Sequence, residues 1–259
     1  MPMRNALLFP LIMLSYTNRF GITRAAVGGA LALSFFMSAP TQAAPPQDSM
    51  EQRMLACTAC HDDEGRKGTD AYYPRIAGKP AEYLYNQLRH FRDGRRHYPL
   101  MTGLLDRLSD AYLLEIAQYF SELKAPYATP ERASLPAAVA ERARKLVHAG
   151  DTQRDLPACA ACHGDALMGV QPAVPGLLGL PTDYIRAQLG AWKSGTRKAA
   201  SPDCMHDIAG TLTPEEISIV SAWRSAQPIP AGAAPALHGD KPPKECGSVL
   251  DAAAKGARP

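Results

Sequence analysis

Two five-residue runs, Cys57-Thr58-Ala59-Cys60-His61 and Cys159-Ala160-Ala161-Cys162-His163, concentrate the reactive side chains of this chain. Two thiols three residues apart, followed at once by an imidazole, form the attachment signature of a c-type haem. The thiols add across the haem vinyl groups as thioethers, and the neighbouring His reaches the iron from one face. A Cys-x-x-Cys pair alone would also suit a redox disulfide or half a zinc site. The His directly after the second Cys argues against both, and its recurrence argues harder. The sequence therefore predicts two covalently bound haem c groups. One sits on Cys57 and Cys60 with His61 as iron ligand, the other on Cys159 and Cys162 with His163.

The elements that must position these groups form an internal repeat, the signature of two copies of one unit. Pro74, Gly78, Pro80, Tyr83, Gln87 and Gly94 recur 101 residues later as Pro175, Gly179, Pro181, Tyr184, Gln188 and Gly195. The cysteine runs recur at an offset of 102, and Met101, Leu108 and Tyr119 match Met205, Leu212 and Trp223 at an offset of 104. Each copy reads as helical. A first helix precedes the haem run, over 49–56 and 136–149. A middle helix follows Pro80 or Pro181, with Leu84, Leu88 and Phe91, or Ile185, Leu189 and Trp192, on one face. A last helix starts at Ser109 in copy one. In copy two it starts at Thr213-Pro214-Glu215-Glu216, where Thr213 and Glu216 can form a capping box with Pro214 at the first helical position. No alternating strand pattern stands out, so the predicted fold class is all-α, two tandem haem-binding domains over 45–125 and 126–227. Residues 228–259, rich in Pro and Ala, read as a mobile or surface-wrapped tail.

A six-coordinate iron needs a ligand from the far side. The repeat points to Met101 and Met205, in loops just before the last helices. A thioether is a soft ligand that favours Fe(II) and raises the reduction potential. Core packing is the ordinary use of a Met, but both occupy matched repeat positions. Met205 is flanked by Cys204 and His206, so thiolate or imidazole ligation stays open at the second haem.

Residues 1–44 contain Arg4, Arg19 and Arg24 and no acidic residue. An apolar run over 25–37 and the small residues Thr41 and Ala43 follow, which reads as a signal peptide and export to the periplasm. An uncleaved leader would instead anchor the protein to the membrane, facing the periplasm. The chain of 259 residues has 28 basic and 25 acidic side chains. Removing the three leader arginines balances them, which gives no footing for nucleic acid and is compatible with peripheral association with the membrane.

Residues 50–226 resemble the dihaem cytochrome c4 family of class I cytochromes c. The resemblance rests on the doubled attachment run, the helices Tyr83 to Leu88 and Tyr184 to Leu189, and the turns ending at Gly94 and Gly195. The Pro99-Leu100-Met101 step and the Leu108-Ser109-Asp110 helix start complete it. It implies two cytochrome c domains facing each other about a pseudo-two-fold axis, with the haems near the interface. It also implies that the carbonyls of Pro74 and Pro175 accept a hydrogen bond from Nδ1–H of His61 and His163. The chain departs from the pattern at Asp62, where the family commonly has Gly, at Cys204, and in the tail carrying Cys246.

A His/Met iron has no open position, so the predicted function is passage of single electrons between redox proteins: a terminal oxidase, a dehydrogenase or another cytochrome. No catalytic residue set stands out. The competing readings are a haem enzyme, such as a dihaem peroxidase or thiosulfate dehydrogenase, and a haem subunit fixed to a dehydrogenase. Cys204 and Cys246 remain after the haems take four of six cysteines, and an exported protein is expected to pair them, which would pin the tail over the loop that supplies Met205 and remove Cys204 from competition for the iron. The dense basic stretch 89–97 reads as a solvated helix end or as a docking or propionate-binding patch.

Overall fold

A computed structural model describes residues 48–66, 72–131 and 134–249. The leader and residues 250–259 lie outside the described residues. The described part belongs to one compact unit, Pro46–Pro259. Within it are two hydrophobic cores, one built from residues between Met50 and Leu123, the other from residues between Tyr127 and Ala233.

The first half starts with two short helices, α1 (Met50–Arg53) and α2 (Leu55–His61). Ser49 caps α1 by accepting from the Gln52 N–H at 3.3 Å. α2 carries the first haem run, and it ends abruptly at Asp62, with φ 64° and ψ 166°. That backbone region is open to Gly and costly for residues with a Cβ, on the order of 1–3 kcal/mol. The second copy has Gly164 at the same step, with φ 80°. Asp62→Gly is therefore expected to stabilise the protein by about 1 kcal/mol, read as a rise in melting temperature. An unchanged or lower melting temperature would contradict the strain.

α3 (Ala81–Arg92) enters from Pro80 and buries Leu84, Tyr85 and Phe91 against α5 (Asp110–Glu122), which Ser109 caps. Between them lies α4 (Pro99–Leu105). The second half repeats the plan with α6 (Ala137–His148), α7 (Ala160–His163), α8 (Thr182–Lys193), α9 (Cys204–Thr211) and α10 (Pro214–Ser225). α10 packs across α6 and α8. Its capping box is complete: Glu216 N–H donates to Thr213 Oγ1 at 3.1 Å, and Thr213 N–H donates to Glu216 Oε2 at 2.9 Å. Burial pushes the Glu216 carboxyl up, but Arg154, the Thr213 N–H and Arg142 outweigh it and hold it at about 2. A carboxyl depressed on folding stabilises the native state above its unfolded value and loses that contribution as pH falls through the folded value. Acid titration should therefore show stability falling between about pH 4.5 and 2, and Glu216→Gln should flatten that limb of the curve.

Two features differ from the sequence reading. Met101 and Met205 lie on α4 and α9 rather than in loops, because Pro99 suits a first helical turn and Asp203 caps α9 through the His206 N–H at 3.2 Å. A two-residue hairpin, β1 (Gly169–Val170) paired with β2 (Val174–Pro175), follows α7 and is too short to show alternation. The tail up to Val249 wraps the second half, with Ile229 and Ala233 packed on its core. Cys204 and Cys246 are joined in a disulfide with a sequence separation of 42. Closing such a loop is worth roughly 4 kcal/mol on the chain-entropy view.

Candidate haem sites and the seam between them

Each cysteine pair presents both thiols to one side, because residues three apart share a helix face. Cys57 and Cys60 lie on α2, while Cys159 is the cap residue of α7, which carries Cys162. None of the four is in a disulfide. Burial pushes Cys57 up to about 11 and raises Cys159 and Cys162 too. Walls of this kind suit a neutral thioether better than a thiolate. Among the described residues no cluster of three or more His, Cys, Asp or Glu side chains could hold a metal ion, so the pairs lack the further ligands of a zinc site.

His61 Nδ1–H donates to the Pro74 carbonyl at 2.9 Å, and His163 Nδ1–H donates to the Pro175 carbonyl at 2.7 Å. Each carbonyl can only accept, so each ring carries its proton on Nδ1 and leaves the Nε2 lone pair facing the cavity. Burial holds His163 down to about 4 and lowers His61 as well, against the raising effect of those carbonyls. Both shifts favour the neutral imidazole, the form that ligates iron. In the second half, pairing of Gly169 with Pro175 fixes that carbonyl.

The methionines line the same cavities as the histidines. Met101 lines the first cavity, of about 600 Å³, with Cys57, Cys60 and His61. Met205 lines the second, of about 170 Å³, with Cys159, Cys162 and His163. The neighbours of Met205 are engaged elsewhere. Cys204 is in the disulfide, and His206 Nδ1–H donates to the Trp192 carbonyl at 3.0 Å on the exposed side.

The two cavities meet at a polar seam that the sequence reading did not assemble. Arg96 reaches Gln87 at 3.1 Å and crosses to Tyr184 and Gln188 at 2.9 and 2.8 Å. Arg197 reaches Gln188 at 2.7 Å and crosses to Gln87 at 2.7 Å. The pattern is self-complementary about a pseudo-two-fold axis, as matched repeat positions require. The backbones pair as well, with Lys198 N–H donating to the Arg95 carbonyl at 2.7 Å. Lys79 adds a third buried cation, donating to the Gly176 carbonyl at 3.1 Å. Arg96, placed by its sequence in a solvated, docking or propionate-binding patch, is buried here, as is His90 from the same stretch. The available signal was that Arg96 and Arg197 also match at the repeat offset. Lys79 and Arg224, also buried, had none, since the repeat pairs them with Leu180 and Phe120.

Three buried cations with only neutral partners among the described residues are unfavourable without an anion. Burial, then the charge of Arg75, presses Lys79 down to about 7, and burial, then Arg96, presses Arg197 down to about 10. The Trp192 indole N–H, at the second cavity, is buried without an acceptor. Apolar cavities bordered by cations and an orphaned donor fit a flat apolar macrocycle bearing two carboxylates. These residues suit haem.

No family model matches the chain. Among curated proteins it is 39% identical over 208 residues to the thiosulfate dehydrogenase electron acceptor of Thiomonas intermedia, covering 79% of this chain and 92% of the relative. It is 30% identical over 196 residues to cytochrome c4 of Pseudomonas aeruginosa, covering 75% of this chain and 94% of the relative. Among solved structures, reduced cytochrome c4 from Pseudomonas stutzeri superposes with a TM-score of 0.59 at 29% identity, covering 68% of this chain and 95% of that one. A thiosulfate dehydrogenase from Marichromatium purpuratum gives 0.60 at 32% identity, covering 69% of this chain but only 40% of that longer one.

Proposed function

The chain belongs to the cytochrome c4 family of dihaem c-type cytochromes, and from that premise we propose that it accepts electrons from a thiosulfate dehydrogenase and passes them to a further redox protein. It binds two covalent haem c groups and transfers electrons. The donor rests on relatives: two named as electron acceptors of that dehydrogenase are 39% and 36% identical to this chain, against 30% for cytochrome c4 of Pseudomonas aeruginosa. The observation that carries the carrier reading is the pair of cavities, each with a thiol pair, a His tied through Nδ1 and a Met, separated by the cationic seam.

In this reading Cys57, Cys60, Cys159 and Cys162 hold the haems, and His61, Met101, His163 and Met205 ligate the irons. The two domains run over 45–125 and 126–227. Bound haem supplies one-electron chemistry. The residues supply the rest: Pro74 and Pro175 fix the imidazoles, and Arg96, Arg197 and Lys79 offer charge to the propionates. With a His and a Met both holding each haem iron, no place would be left for substrate, which favours a carrier over an enzyme. Oxidised Cys204 and Cys246 fit an oxidising compartment, so we place the protein in the periplasm. Among the described residues no helix is long and apolar enough to cross a membrane.

Stopped-flow mixing of the ferric protein with a purified thiosulfate dehydrogenase and thiosulfate tests the reading. Reduction of both haems only when dehydrogenase is present is expected. Thiosulfate oxidation by this protein alone, with ferricyanide as acceptor, would overturn the carrier assignment.

A further inference from the structure

The two halves part company around their methionine helices. In the first half, among the described residues, α4 is uncovered at Leu100 and Leu104, which are 64% and 42% exposed. In the second half the residue in register with Leu100 is Cys204, and it is bonded to the tail. That tail is anchored on both sides of the second cavity. On the histidine side, Ala236 N–H donates to the Gly169 carbonyl at 2.9 Å, and Gln171 N–H donates to the Ala236 carbonyl at 2.8 Å. This adds a third edge to the hairpin whose Pro175 carbonyl orients His163. On the methionine side, the disulfide ties the tail to the residue next to Met205, and Gly247 N–H donates to the Pro202 carbonyl at 2.9 Å. Between these points Lys244 pairs with Asp155 at 2.6 Å. Pro242, Cys246, Ser248 and Val249 form part of the cavity wall itself.

We infer that residues 227–249 are a strap that positions Met205 and closes the second iron to external ligands, while the first iron stays the more accessible of the two. The proposal rests on Met205 being the second iron's ligand. An external ligand can bind only when the methionine swings away, so its apparent affinity is scaled by the fraction of molecules in that open state. α9 cannot move outward without dragging a chain that is pinned again at the hairpin. Among the described residues α4 carries no such tether, and its two exposed leucines lose little on moving. The strap therefore makes the haems inequivalent toward small ligands although their attachment and ligand sets match.

Imidazole titration of the full-length ferric holoprotein tests this, with each haem followed by its methyl resonances and its methionine-to-iron charge-transfer band. In the wild type the second haem should need at least about tenfold more imidazole than the first, the ratio of the two open fractions. Cys246→Ser should bring the second haem at least about tenfold toward the first and leave the first unchanged. Gly247→Val disturbs the same contact with the disulfide intact, since a Cβ there would lie 2.3 Å from the Ser201 carbonyl oxygen. It should move the second haem in the same direction, and it serves if Cys246→Ser fails to fold. Equal affinities in the wild type, or a second haem indifferent to both substitutions, would overturn the strap. The bands of the untreated protein are read first. Absence of a methionine band from the second haem would remove the ligand assignment, and the strap proposal with it.

Discussion

Replacing Cys57 and Cys60 together by alanine is expected to leave a protein with one covalent haem, on Cys159 and Cys162, and with its first core melted. The first cavity encloses about 600 Å³ among apolar residues of α3, α4 and α5. A closed cavity left unfilled costs about 24 cal/mol per Å³, so an empty space of this size costs at most on the order of 10 kcal/mol, less where it opens to solvent. A whole domain is stable by only about 5–15 kcal/mol. The reciprocal pair, Cys159→Ala with Cys162→Ala, should spare the first haem. Intact mass after acid–acetone extraction counts the haems, and calorimetry reports which core still melts cooperatively. Two extraction-resistant haems in either double variant would show that the attachment sites have been misplaced.

Exchange of the methionines should move potentials as strongly as exchange of the cysteines moves stoichiometry. Met101→His and Met205→His should each lower the potential of one haem, since imidazole stabilises Fe(III) relative to a thioether. Axial ligands set haem potentials over roughly 0.8 V, and this exchange should span a substantial part of that range. A spectroelectrochemical titration reads both haems in one experiment. Met205→Ala is the sharper variant. Cys204 is held in the disulfide and His206 is tied to the Trp192 carbonyl, so neither is placed to take over the iron. The second charge-transfer band should vanish and the first persist. Retention of both bands at unchanged potentials would exclude Met205.

The sequence alone determined whatever depends on local covalent order. The haem runs are readable because attachment needs two thiols and an imidazole at fixed short spacing. The halves are readable because two copies of one unit repeat the same turn glycines and helix-starting prolines. The Thr213–Glu216 capping box is readable because a cap is a four-residue device. Met101 and Met205 could be singled out by repeat position, but not the helices that carry them, each under three turns and weakly periodic. The pairing of Cys204 with Cys246 followed from arithmetic on the cysteines. That the bond pins the tail beside Met205 followed with it; the tail's second anchor, at the hairpin, did not, because it is a backbone bridge that no side chain announces.

Tertiary structure alone decided where the charge goes. Arg96 lies in a basic stretch that reads equally as solvated, docking or propionate-binding, and only the contact with α8 turns it inward to meet Gln188 and Tyr184. Lys79 looks like any loop lysine until the Gly176 carbonyl, 97 residues away, is found beside it. Such contacts join residues far apart in the chain, and burial belongs to the assembled pair of halves rather than to any segment. The same holds for Asp62. Its departure from glycine is visible in the sequence, but the strain it carries depends on the direction the chain must take once His61 has been fixed by Pro74.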